Sequence, residues 1–170
     1  VIQYDFTLLD PTFEKHGLAY ILDALDKWKH EDFLNNLFLF AENGAVGYYF
    51  CQNNLRFEEF YRVDWPEHFW PKESFKEALA PRIKKYGEIY QNAHKIVVVI
   101  RTKHHYNENR DMKDVYRCSK KIYDETCKLL AESNPGYEEF VHVGNSGIGV
   151  VVGPANGDKN VGIRKFAKYL

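Results

Sequence analysis

From Leu55 onward the chain alternates. Leu55, Phe57, Tyr61, Val63 and Trp65 are apolar, and Arg56, Glu58, Arg62 and Asp64 stand between them. A period of two predicts a strand with one buried face. Glu59 and Phe60 break the alternation. Upstream, Asn43-Gly44 separates two apolar runs and predicts a hairpin, because both residues accept positive φ. Asn53-Asn54 offers a second turn. Together these signals predict a three-strand antiparallel meander. Val1 to Leu9 reads as an earlier strand. Asp10-Pro11 then predicts a helix start, and Leu18, Ile21, Leu22, Leu25 and Trp28 recur at helical spacing.

The second half carries a similar mixture. WPEHFWPKES, beginning at Trp65, is a proline-bounded link. A helical stripe of Phe75, Leu79, Ile83, Tyr86 and Tyr90 follows, and Pro81 inside it predicts a kink or a break. Lys95–Thr102 is apolar on both faces, which predicts a central strand. Lys113–Ser133 reads as a helix with Val115, Cys118, Ile122 and Leu129 inward, stopped by Asn134-Pro135-Gly136. Tyr137–Val143 and Ile148–Val152 read as a hairpin over Gly144–Gly147. The tail Val161–Leu170 fits helix or strand. Hairpins outnumber crossovers, so the expected fold is α+β: a mixed or antiparallel sheet with an N-terminal three-strand meander, packed by about three helices. One cooperative domain over residues 1–170 is expected, with a division into lobes near 66–72 as the variant.

Composition narrows the class of protein. The chain has 170 residues, of which 45% are hydrophobic, enough for a core without a metal or disulfide. The longest purely apolar run is Ile96–Ile100, far below the ~20 residues a membrane helix needs. VIQYDFTLLD at the N-terminus has no basic start and no small-residue cleavage site, so it does not read as a signal peptide. Three cysteines give no disulfide framework. Cys118 and Cys127 on one helix are too far apart to bridge. Reduced thiols and a cytoplasmic location are therefore expected.

Charge is unevenly spread along the sequence. Residues 1–70 carry a net −7 and residues 71–170 a net +6. An acidic, aromatic N-terminal half suits a surface that docks a basic partner. The residues singled out for such a face are Asp23, Asp26, Glu58, Glu59, Tyr61 and Asp64.

One stretch invites a catalytic reading. In KIVVVIRTKHHYNENRDMKDVY, Lys95 to Tyr116, a buried strand ends at two adjacent histidines. His104 or His105 with Glu108 or Asp111 would supply a base and its orienter. Arg101, Lys103 and Arg110 would hold a phosphate. Against this, adjacent residues of an extended chain point apart. No HxxxH, HExxH or HxH spacing implies a metal. Asp111 and Lys113 also serve simply to begin the helix. Gly144–Gly157 lacks the P-loop and dinucleotide fingerprints, so no cofactor is expected, and its glycines suit turns. No nucleic-acid fold signature appears; phosphate contacts by Lys84, Lys85, Arg117, Lys120 and Lys121 stay open as an alternative to plain solvated helix faces. No catalytic residue is assigned.

In kind, the chain resembles the immunity proteins of bacterial polymorphic toxins, including those of contact-dependent growth inhibition. The resemblance lies in size and in acidic-aromatic segments such as EDFLNN (Glu31–Asn36) and FEEFYRVDW (Phe57–Trp65). It implies a one-to-one inhibitor that masks a basic toxin domain, often a nuclease, without chemistry of its own. The alternatives are a phosphate- or nucleic-acid-processing enzyme using the His104–Asp111 loop, and an oligomerising adaptor.

Overall fold

The computed structural model describes residues 2–3, 37–51, 53, 56–90, 95–104 and 111–169. The strand expected to Leu9 lies outside them except at Ile2–Gln3. The helix expected after Pro11, with Asp23 and Asp26, lies outside them entirely. The described fold is α+β, with two four-stranded sheets and three α-helices. The chain forms two compact units, one of residues 1–63 and 157–170 and one of residues 64–156.

The first unit contains β1 (Ile2–Gln3), β2 (Phe38–Ala41), β3 (Val46–Cys51) and β4 (Arg56–Arg62) in that spatial order. β2, β3 and β4 make the expected antiparallel meander, and β1 adds in parallel beside β2. The tight connection from β2 to β3 holds Glu42, Asn43 and Gly44 at positive φ, which agrees with the Asn-Gly signal.

The interruption at Glu59–Phe60 is a β-bulge. Tyr48 pairs with Glu59 while Gly47 pairs with Tyr61, so Phe60 is the extra residue. Phe60 and Tyr61 consequently both pack towards Phe40. A Cβ on Gly47 would lie 2.2 Å from the Tyr61 ring and 2.7 Å from the Phe60 ring. The two aromatics cross the sheet over a position that only glycine leaves open.

The ambiguous tail is helix α3 (Lys159–Tyr169). The Asp158 carboxylate accepts the Val161 N–H at 2.8 Å at its start. Phe166 of α3 packs on Phe38, with ring centroids 4.5 Å apart, and on Phe40.

The second unit holds helix α1 (Lys72–Ile83), strands β5 (Gly87–Tyr90) and β6 (Val98–Thr102), helix α2 (Met112–Ser133), and the hairpin β7 (Val141–Asn145) and β8 (Gly149–Pro154). Its sheet is antiparallel throughout, in the order β5-β6-β8-β7. β6 is central, as its two apolar faces require.

Two expectations are corrected here. The break offered for Pro81 does not occur, and α1 runs on to Ile83, because a proline in the last turn deprives the helix of little more than one bond. The helical stripe also does not extend through Tyr86 and Tyr90. Gly87 opens a strand there, registered on Thr102 of β6. The core gathers Phe75, Leu79 and Ile83 from α1, Ile122, Leu129 and Leu130 from α2, and Val98, Ile100, Val150 and Val152 from the sheet.

Candidate active site at the end of the central strand

β6 places alternate residues on alternate faces. Val98, Ile100 and Thr102 are buried, on the face where Val98 and Ile100 join the residues of α1 and α2 in one core. Arg101 points the other way, with its guanidinium 3.4 Å above the Tyr90 ring. His104 follows in the turn after β6 and comes to the start of α2. Its Nε2 lies 2.5 Å from Oδ2 of Asp114. That contact does not run along the N–H direction a hydrogen bond requires, and Nε2 is otherwise sealed from solvent. The contact is therefore a close approach rather than an aligned hydrogen bond.

Asp114 is shared. The guanidinium of Arg117, one turn along α2, donates to its other oxygen. The Asp114 side chain is 22% exposed and that of Arg117 is 73% exposed, so the guanidinium reaches into solvent from a fixed end. Cys118 lies one further position along the helix and is buried. Asp114 and Cys118 are four apart and therefore on one helical face. One donor atom each from His104, Asp114 and Cys118 falls within 4.8 Å of the others.

The electrostatics follow from this placement. Burial pushes the Asp114 carboxyl up, but the charge of Arg117 and the contacts from His104 and Arg117 outweigh it and hold it below its ordinary value of 3.8. Burial, and then the charge of Asp114, push the Cys118 thiol up. It is a thiol, not a ready nucleophile, at neutral pH. A carboxylate with a lowered pKa stabilises the fold above its unfolded value and loses that contribution as pH falls through the folded one. The stability difference between the native chain and Asp114→Asn is therefore expected to be constant above about pH 5. It should shrink steadily below 3.8. Urea titrations of both proteins across that range check this, and a difference that persists undiminished at lower pH would contradict it.

Of the loop residues proposed from sequence, His104 takes part, with Asp114 instead of Glu108 or Asp111 as its carboxylate. Asp111 begins α2, its carboxylate accepting the Lys113 N–H at 3.0 Å. Lys103 is exposed nearby, while Arg101 is on the opposite face. His105, Glu108 and Arg110 lie outside the described residues. Gly144 and Asn145 end β7 and Ser146–Ile148 form the turn to β8, where Asn145 accepts the Gly147 N–H and receives the Ser119 hydroxyl at 2.7 Å. Those bonds tie the turn to α2. A sequence reading misses Asp114 and Cys118 as partners of His104. Their i,i+4 spacing is visible, but the strand end that faces them is not.

Of the acidic-aromatic residues, Asp23 and Asp26 lie outside the described residues, and those on β4 do not share one side of the sheet. Glu58 and Glu59 are neighbours on β4 and point to opposite sides of the sheet. Glu58 accepts the Tyr49 hydroxyl at 2.8 Å, whereas Glu59 pairs with Arg62 at 2.5 Å. Tyr61 is a packing residue. Its hydroxyl donates to the Gly44 carbonyl, and burial raises its pKa to about 12. Asp64 is exposed and belongs to the second unit. The charge separation along the sequence also does not survive folding. The basic tail joins the acidic N-terminal segment, so the first unit carries −2 and the second +1.

No helix among the described residues is long and apolar enough to cross a membrane. No protein-family model matches the sequence, and no curated protein matches it. Solved structures do share its fold. In the ATP-bound structure of Plasmodium falciparum IMP-nucleotidase, 97% of this chain matches 39% of that one, with a TM-score of 0.52 and 11% identity. Another structure of Plasmodium falciparum IMP-nucleotidase matches 92% of this chain with 43% of its own, at a TM-score of 0.48 and 13% identity. A C-terminally truncated form gives 0.49 and 11%, with 92% and 45% covered. This chain spans less than half the length of the proteins it resembles, and the likeness is one of fold alone.

Proposed function

We propose that this chain handles phosphate esters of nucleotide size, with His104 as the group that moves a proton. The observation that carries the reading is the approach of His104 to Asp114, with Arg117 beside them, at the end of a buried central strand. A carboxylate against one ring nitrogen fixes the orientation of an imidazole. Protonated, His104 gives a proton to a leaving oxygen. Neutral, it takes one from an attacking water. Arg117 keeps donors to spare beyond Asp114, and guanidinium geometry suits phosphoryl oxygens. The neighbour in fold is named for IMP, which is a phosphate ester, and this agrees with the reading at the level of fold.

The reading as an inhibitor of a basic toxin is set behind this one. It asks for acids on a common face and a charged half of the molecule, and Glu58 and Glu59 diverge while the unit charges nearly cancel.

The test is phosphate release from inosine and adenosine monophosphates by the purified chain, with and without Mg²⁺ and in the presence of a chelator for softer ions. Binding is measured alongside by calorimetry. His104→Ala is expected to lower turnover by about 10²–10⁴-fold, the span general acid–base groups contribute. Asp114→Asn should lower it less. Turnover unchanged in His104→Ala would remove His104 from the mechanism. Neither binding nor release with any nucleotide would overturn the function.

A further inference from the structure

We propose that His104, Asp114 and Cys118 form a site for a borderline-soft divalent cation of the zinc type. This inference does not rest on the phosphate reading. The three residues offer a ring nitrogen, a carboxylate oxygen and a sulfur, which is the mixed donor set zinc accepts and magnesium or calcium does not. Their donor atoms already lie within 4.8 Å of one another. Zinc bonds of about 2.0–2.3 Å in a tetrahedron separate the donors by roughly 3.2–3.8 Å. The closest pair, His104 and Asp114 at 2.5 Å, must therefore open by about 1 Å, and the widest must close by a similar amount.

Three further features favour an ion over a simple ion pair. The His104 Nε2 atom is buried and lacks an aligned hydrogen bond, so its lone pair or proton is poorly used without an ion. Asp114 and Cys118 are fixed by one stretch of α2, while His104 comes from the end of β6. The set is therefore preorganised by two packed elements. Arg117 holds the outer oxygen of Asp114, as outer partners orient ligands in metal sites. His104 and Asp114 are 26% and 22% exposed while Cys118 is 2% exposed. The sulfur is thus the buried end of the set, and the His104–Asp114 pair is its partly exposed end. Three protein ligands leave the fourth corner of a zinc tetrahedron to a non-protein ligand. In a molecule carrying the ion, His104 is a ligand and no longer free to move a proton.

The experiment is titration of the full chain with Co²⁺ under reducing conditions, followed by displacement with Zn²⁺. One equivalent of Co²⁺ is expected to raise a thiolate-to-cobalt charge-transfer band in the near ultraviolet and visible bands of four-coordinate intensity. Both should vanish on adding one equivalent of Zn²⁺. Cys118→Ser should abolish the charge-transfer band. His104→Ala should weaken binding by more than about 100-fold, since the loss of even an outer partner costs 10–100-fold. The double variant Cys51→Ser/Cys127→Ser should leave the spectrum unchanged. Absence of the band, its persistence in Cys118→Ser, or its loss in the double variant would each overturn the site. Should Cys118→Ser fold poorly by circular dichroism, His104→Ala alters only a partly exposed ring and decides the matter. These readouts need no turnover. A cobalt spectrum without phosphate release would sink only the functional reading, and release without a spectrum would sink only the metal site.

Discussion

Phe75→Ala is expected to destabilise the second unit by about 3–5 kcal/mol. Phe75 is fully buried and belongs to the core shared by α1, α2 and the sheet. Its ring packs against Trp65 at 6.1 Å and Trp70 at 5.8 Å between centroids. Those two tryptophans are themselves linked, because the Trp65 indole N–H donates to the Trp70 carbonyl at 2.9 Å. The proline-bounded segment therefore closes over α1 through Phe75. Truncation removes the transfer energy of the ring and leaves a cavity beside the two indoles. A loss of that size is a large part of the roughly 5–15 kcal/mol that holds a typical domain together.

Urea titration followed by tryptophan emission checks this, because two of the three tryptophans sit against the site of change. The midpoint should fall with the slope preserved. A shift below about 1 kcal/mol would mean that the cluster re-packs around the gap. The same titration addresses domain organisation. Coincident transitions by emission and circular dichroism indicate one cooperative chain, and separated transitions indicate that the units of residues 64–156 and of 1–63 with 157–170 unfold apart.

Legibility in the sequence followed the range of the interactions involved. β6, α2 and the meander were readable because each carries its own period. The broken alternation at Glu59–Phe60 was visible too, and it marks a bulge. The tail was ambiguous because Val161, Gly162 and Ile163 carry no helical preference of their own. What decides for a helix is Asp158 capping its start and Phe166 finding Phe38. β5 was missed because Tyr86 and Tyr90 continue a helical stripe, and only pairing with β6 makes Gly87–Tyr90 a strand.

The site was half legible for the same reason. His104 at the end of a central strand stood out. Asp114 and Cys118 stood on one helix face. No spacing rule joins a strand end to a helix face across a loop, so the sequence points to Glu108 and Asp111 for the carboxylate. The charge pattern misled in the opposite way. It was real along the chain, but the fold brings the basic tail into the unit that contains the acidic segment.

The last prediction joins fold to site. Gly87→Ala is expected to cost about 3 kcal/mol or more, and to impair whatever His104 does. Gly87 stands opposite Thr102 in the β5–β6 ladder. A Cβ added there would lie 2.1 Å from the Arg101 carbonyl oxygen and 2.8 Å from the Ile122 side chain. The first of these neighbours is backbone, which cannot rotate away as a side chain would, so the strands must part. Overpacking of this kind costs 1–3 kcal/mol where side chains can yield and more where they cannot. The effect should also reach the site, because the Lys103 N–H donates to the Tyr86 carbonyl at 2.9 Å, and that bond anchors the turn that carries His104. Spreading β5 from β6 loosens this anchor and the register of His104 on Asp114. The variant should therefore lose cobalt affinity and phosphate turnover beyond what its folded fraction explains, measured where circular dichroism shows it still folded. Ala80→Gly, a change at the exposed end of α1, should cost about 1 kcal/mol and leave both readouts intact. If Gly87→Ala retains full stability, the two strands do not approach as closely as their pairing requires. If it loses stability but keeps the site, His104 is held by α2 alone and not by the strand that leads to it.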